Sequence, residues 1–147
     1  MTVRVQQEAF QLGDEVDRFA QGVKGAGAVV TFTGIVRDVA QGGLSRMVIE
    51  HYPGMTERAL TQIREDAMGR WPLVDALIIH RYGEMAPDDM IMMVATASAH
   101  RVAAFEAAEF LMDYLKSRAP FWKQEVTADE AQWVESKAED EDALRRW

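Results

Sequence analysis

Residues 90–126 read MIMMVATASAHRVAAFEAAEFLMDYLKSRAPFWKQEV, and the three parts of this stretch set the fold class. Met90 to Ala97 is apolar except for Thr96 and of strand length, which predicts a β-strand. From Ser98, a good N-cap residue, apolar side chains recur at helical spacing to about Arg118. Val102, Phe105, Ala108, Met112 and Leu115 form one stripe, and Phe110, Leu111 and Tyr114 widen it, so the predicted helix is buried on two sides. Pro120 closes it, and Phe121 to Val126 returns to a strand pattern.

Upstream, Val74 to Tyr82 is a second strand candidate. Gly83-Glu84-Met85-Ala86-Pro87-Asp88 separates it from Met90 and suits a hairpin with a loop longer than a tight turn. Pro53-Gly54 signals a turn, with Thr56 as the expected N-cap of a helix whose inner face is Ala59, Leu60, Ile63 and Ala67; Trp71-Pro72 ends that helix. Arg46 to Tyr52 alternates as a strand returning antiparallel to the β-branched run Ala28 to Val36, which is expected to be buried on at least one face and delivers Arg37 at its end. The loop Asp38 to Gly43 joins them. At the start, Val3 to Gln7 predicts an edge strand and Gly13 to Gln21 a polar helix that Gly22, Gly25 and Gly27 terminate. The tail ends in a short amphipathic segment, Ala143 to Trp147. This alternation predicts an α+β fold with a mainly antiparallel sheet and packed helices, and no repeat or linker divides the chain, so 1–147 is expected to be one domain.

A chain of 147 residues, 48% hydrophobic and 27% charged, is suited to one globular core. No cysteine is present, which removes disulfides, thiolate nucleophiles and cysteine-rich metal sites. The opening residues lack a signal-peptide pattern and no apolar stretch is long enough to cross a bilayer, so a cytoplasmic location and no membrane association are expected. A net charge of −8 argues against a nucleic-acid partner. Much of the acid is concentrated between Asp129 and Asp142, whereas residues 100–123 contain Arg101, Lys116, Arg118 and Lys123.

Phosphate-cradling glycine loops, HExxH and serine-elbow motifs are absent, and His51, His80 and His100 are too scattered for a zinc site. What remains is a set of cations at element ends: Arg37 after a strand, His100 and Arg101 at a helix start, Lys116 in that helix's last turn, and Lys123 on the next strand. A phosphorylated ligand is their natural partner. Each has an ordinary alternative: Lys116 as a dipole complement or an ion pair with Asp113, Lys123 as an exposed strand lysine, and Arg37 as a solvated side chain. If Lys116 and Lys123 converge, repulsion and burial lower a lysine pKa and make a neutral amine available for proton transfer. The two ends of the long helix lie ~24 Å apart at about 1.5 Å per residue. A ligand that uses both therefore requires a homodimer, with His100 and Arg101 coming from the neighbouring subunit. Two other readings fit the same cations: a noncatalytic anion-binding module, and metal-free hydrolysis of a cyclic phosphate.

Specific strings go further. Gly27-Ala28-Val29-Val30-Thr31-Phe32-Thr33-Gly34 with Val36-Arg37, Glu50-His51-Tyr52-Pro53-Gly54-Met55, Ile79-His80-Arg81-Tyr82-Gly83-Glu84, Ser98-Ala99-His100-Arg101 and the run Tyr114 to Lys123 together resemble the molybdopterin synthase large (catalytic) subunit family, in order and spacing from about Gly27 to Trp147. The resemblance implies an α/β hammerhead-type fold and a homodimer at the centre of a heterotetramer. It implies a sulfurtransferase of molybdenum cofactor biosynthesis that converts cyclic pyranopterin monophosphate to molybdopterin. The two sulfurs would come from the thiocarboxylated Gly-Gly C-terminus of a small sulfur-carrier subunit, with no cofactor or metal. It further implies Lys116 as the principal catalytic lysine with Lys123 assisting, and Arg37, His100, Arg101, Gln124 and Glu125 as substrate-binding residues beside both lysines. Phe32 and Met112 are pocket candidates. Ile35 stands where family members often carry a basic residue, and Asp38-Val39-Ala40 departs from the family's usual polar loop.

Overall fold

The computed structural model describes every residue except Met1, Gln41, Asp129 and Ser136; the acidic run expected to begin at Asp129 and the middle of the 38–43 loop therefore lie partly outside the described residues. In chain order the elements are β1 (Val3–Gln6), α1 (Leu12–Gln21), β2 (Ala28–Ile35), β3 (Leu44–His51), α2 (Met55–Arg70), β4 (Leu73–Arg81), β5 (Gly83–Met85), β6 (Met90–Ser98), α3 (Arg101–Ser117), β7 (Phe121–Thr127), β8 (Ala131–Trp133) and α4 (Ala138–Leu144). They build two four-stranded sheets, ordered β1-β4-β6-β2 and β5-β3-β7-β8. Only β1 and β4 pair in parallel among the described strands. The α+β class and the mainly antiparallel pairing are as the sequence predicts.

β4 and β6 are mostly apolar because both of their faces are covered. Along β4, Leu77 and Ile79 join Phe10, Phe19 and Val23 in the small core under α1. The intervening Ile78 joins Leu60, Leu111 and Val94 in the main core, as the two-residue side-chain period requires. β4 and β6 pair antiparallel, Leu77 opposite Ala95 and His80 opposite Met92, so the predicted hairpin forms. Its connection contains an unpredicted strand, β5, which leaves the first sheet to pair with β3 in the second, Met47 opposite Met85.

α3 packs in a different rotation from the one expected. Its buried residues are Ala104, Ala107, Ala108, Phe110, Leu111 and Leu115, while Val102 and Phe105 are 61% and 59% exposed. The alanines let the first half of the helix approach the sheet closely, which turns the larger neighbours outward. Ser98 is not the cap. It is the last residue of β6, paired with both Ala28 and Leu73, and its hydroxyl donates to the His100 carbonyl; His100 is the residue at the cap position.

Thr56 is likewise not an N-cap. α2 starts two residues earlier, after Gly54 at φ 82°, and Glu57 accepts the Gly54 N–H at 3.1 Å. Thr56 is instead fully buried. β2 is also less buried than expected: it is an edge strand, and Val29, Phe32 and Ile35 are exposed while Val30 is half-buried against the main core. At the other end of the chain the predicted amphipathic segment begins earlier, as α4, and Trp147 packs edge-on against both Trp71 and Phe110, with ring centroids 5.5 and 5.7 Å away.

Candidate active site

The ladder between β3 and β7 determines which side chains point into the gap between the sheets. Phe121, Lys123 and Glu125 stand opposite His51, Ile49 and Met47. Ile49 and Met47 are buried core residues, so this alternate set faces inward. Trp122 and Gln124 fall on the other face, and Trp122 is 48% exposed. The last turn of α3 descends toward the same gap and carries Met112 and Lys116 one helical turn apart. β2 brings Phe32, and the chain after it brings Arg37 and Asp38.

These elements enclose a cavity of about 740 Å³ whose wall includes Phe32, Arg37, Met112, Lys116, Lys123 and Glu125. Six of the expected site residues therefore meet. Gln124 does not line the cavity, because neighbours on a strand cannot share a face. His100 and Arg101 do not line it either: they sit exposed at the opposite end of α3 from Lys116. Sequence reasoning overlooked His80, Gln132, Val134 and Lys137, which also line the cavity. Lys137 and Gln132 come from the tail, whose acidic composition concealed a contribution to a cationic site. An alternation count along Val74 to Tyr82 places His80 on the same inward face as Ile78 and would have found it.

The site's charge is the reverse of the whole chain's. Arg37, Lys116, Lys123 and Lys137 face the carboxylates Asp38 and Glu125, so a local positive field exists in a chain of net charge −8. Asp38 is partly committed to structure, since its Oδ1 accepts the Leu44 N–H at 2.8 Å and closes the loop before β3. Burial and then the nearby Lys116 charge lower the Lys123 pKa to about 8, with Asp140 acting in the opposite sense. At neutral pH about a tenth of Lys123 is then the free amine. The His80 pKa is lowered to about 3, chiefly by burial and next by Lys123, against a small opposing effect of its bond to the Arg81 carbonyl. The cavity thus combines cations for an anionic ligand, an amine able to give or take a proton near neutrality, and an imidazole that stays uncharged. Among the described residues no group of three or more His, Asp or Glu side chains is arranged to hold a metal ion, and no helix is long and apolar enough to cross a membrane.

Comparison with known proteins agrees with this architecture. The model of the MoaE protein family matches residues 5–118, a span that includes Arg37 and Lys116. The molybdopterin synthase catalytic subunit of Cereibacter sphaeroides is 64% identical over 147 residues, covering all of both chains, and that of Ralstonia nicotianae is 55% identical over 99% of this chain and 84% of its own. Among solved structures, the molybdopterin biosynthesis MoaE protein of Burkholderia ambifaria superposes with a TM-score of 0.83 at 47% identity, covering 99% of this chain and 97% of that one. A family match over most of the chain, full-length relatives and a shared fold lead to one conclusion: this chain belongs to the MoaE protein family, that of molybdopterin synthase catalytic subunits.

Proposed function

We propose that the cavity is where cyclic pyranopterin monophosphate receives two sulfurs, delivered by the thiocarboxylated C-terminus of a small sulfur-carrier subunit, to give molybdopterin. The observation that carries this reading is the meeting of Lys116 and Lys123, from two different elements, in one cationic cavity. Arg37 and Lys116 supply charge for the phosphate, and the apolar surfaces of Phe32 and Met112 suit a flat heterocycle.

In each half of the reaction the thiocarboxylate sulfur attacks an oxygen-bearing carbon of the pterin. A C–S bond forms as a C–O bond at that carbon breaks, its oxygen leaving with the phosphate group or, protonated, as water, and the product is an acyl thioester between the two molecules. Water then cleaves the acyl–sulfur bond, leaving sulfur on the pterin and an ordinary carboxylate on the departing tail. The lysines stabilise the acyl oxygen as it gains charge, and the Lys123 amine, with its pKa near 8, exchanges the protons of attack and release. A Gly-Gly tail suits a narrow entry because it carries no side chains and binds by its backbone.

The assembly that fits this chemistry is a homodimer within a heterotetramer. His100 and Arg101 lie too far along α3 to reach a ligand held at Lys116 of the same chain, so they serve the neighbouring subunit's site. Support comes from the exposed Val29, Phe32, Ile35, Val102 and Phe105 of β2 and α3, an apolar set that a second copy of the chain would cover. Gln124 is assigned to contacts away from the ligand, Ile35 is part of the cavity wall, and the reaction is assigned to the cytoplasm. The test is a reconstituted assay with thiocarboxylated small subunit and cyclic pyranopterin monophosphate, scoring dithiolene formation. Wild type turns over and Lys116→Ala does not; undiminished product from that variant removes Lys116 from its role.

A further inference from the structure

His80 is 2% exposed, yet it forms part of the cavity wall, and its ring is fixed twice. One face stacks on Phe121, with centroids 3.7 Å apart and planes 16° from parallel. Nδ1 lies 2.8 Å from the Arg81 carbonyl oxygen. A carbonyl only accepts, so Nδ1 carries the proton. In an uncharged ring Nε2 then holds a lone pair and no hydrogen. Phe121 and Lys123 are two residues apart on the inward face of β7, or ~7 Å at about 3.4 Å per residue. The Lys123 charge is near enough to act on the ring, and both side chains line the same cavity.

We propose that His80 is a positioning residue for Lys123: the clamped imidazole offers Nε2 as an uncharged acceptor that directs the lysine amine into the cavity. The chemistry explains the choice of group. A carboxylate in the same place would orient the amine but hold it as ammonium, and an apolar side chain would leave its direction unset. A neutral acceptor orients the amine while leaving it able to exchange a proton. The low basicity of the buried ring keeps it neutral throughout the working pH range. The catalytic part of this inference rests on the sulfur-transfer reading above; the geometry of the ring does not.

The first experiment records 15N spectra of the His80 ring in the unaltered protein. A neutral ring protonated at Nδ1 down to at least pH 5 is expected. A proton on Nε2 overturns the proposal whatever the cavity's reaction. The second compares His80→Phe, which keeps a ring against Phe121 but has no acceptor, with His80→Gln, which restores one. The charged groups around the amine, Lys116 on α3, Asp140 on α4, Glu125 on β7, Arg37 and Asp38 after β2 and Lys137 before α4, and His51 on β3, which acts on the ring, are unchanged in both. For His80→Phe, kcat should fall about tenfold with KM within about twofold, and the Lys123 amine should titrate at lower pH because its ammonium has lost an acceptor. His80→Gln should recover most of both. A folded His80→Phe protein with wild-type kcat and an unmoved Lys123 titration overturns the proposal; if that variant does not fold, the ring spectrum and the glutamine variant decide it. Failure of all proteins, wild type included, to turn over would instead count against the sulfur-transfer reading.

Discussion

The Thr56 hydroxyl donates to the Pro120 carbonyl oxygen at 3.0 Å while accepting the Tyr52 N–H at 2.9 Å. One fully buried side chain thus ties the end of β3 and the first turn of α2 to the residue that precedes β7. Because β7 carries Lys123, this connection sets where the lysine enters the cavity. Thr56→Val keeps the volume and removes the hydroxyl, leaving the Pro120 carbonyl and the Tyr52 N–H without that partner. A loss of about 1–3 kcal/mol in denaturant unfolding is expected, with activity reduced beyond what residual unfolding explains. Thr56→Ser should be near wild type in both measurements.

Lys123 should cost stability at neutral pH. Its folded pKa of about 8 lies below the ordinary lysine value of 10.5, so between those values the unfolded chain binds more protons than the folded one. Stability contributed by this group therefore rises with pH from about 8 to 10.5, and the penalty is complete below that window. Lys123→Met is expected to unfold at a higher temperature than wild type at pH 7. The difference should shrink as pH approaches 10.5, as measured by thermal unfolding across pH. Lys116→Ala, by removing the neighbouring charge, should raise the pH at which the Lys123 amine titrates by NMR.

The strands and helices with strong periodicity were legible in the sequence, and the roles of individual polar residues were less so. Apolar runs marked β4 and β6, and the Pro120 break separated α3 from β7. β5 and β8 have three residues each, too few for a period to register, and they exist because β3 and β7 offer them an edge. Ser98 and Thr56 misled for one reason: a hydroxyl that suits a helix cap suits a buried tertiary bond equally well. In the site, alternation along Phe121 to Val126 separates Lys123 and Glu125 from Gln124, a distinction that the resemblance alone did not make. The contribution of Lys137 could not be foreseen, since it depends on the tail folding back across α3.

That return of the tail is held by Asp113. Its Oδ2 accepts from Arg146 at 2.7 Å and from the Trp147 indole at 2.6 Å, and Arg118 pairs with Glu141 one turn away on α4. Asp113→Ala removes both acceptor contacts from the chain end. Hydrogen exchange should accelerate in residues 138–147 while β4 and β6 keep wild-type protection. The cavity should also become less cationic as Lys137 moves away, so that affinity for a phosphorylated ligand falls by calorimetry. Unchanged exchange in the tail would mean that Trp147 packing against Trp71 and Phe110 suffices to hold it.

Mixing two inactive variants tests the shared site directly. If each site takes Lys116 from one chain and Arg101 from its partner, a dimer of one Lys116→Ala chain and one Arg101→Ala chain contains one doubly damaged site and one intact site. Random re-association makes half of the dimers mixed, so activity should return to about a quarter of wild type from two preparations that are each inactive. Phe105→Asp in both chains should abolish that recovery, because it places a charge in the exposed apolar face of α3 and β2, and light scattering should then report monomers. Were the site complete within one chain, no mixture could regain activity, since every chain present would carry a lesion in its own site; a mixture that stays inactive while light scattering shows mixed dimers would therefore return His100 and Arg101 to the surface of a self-contained subunit.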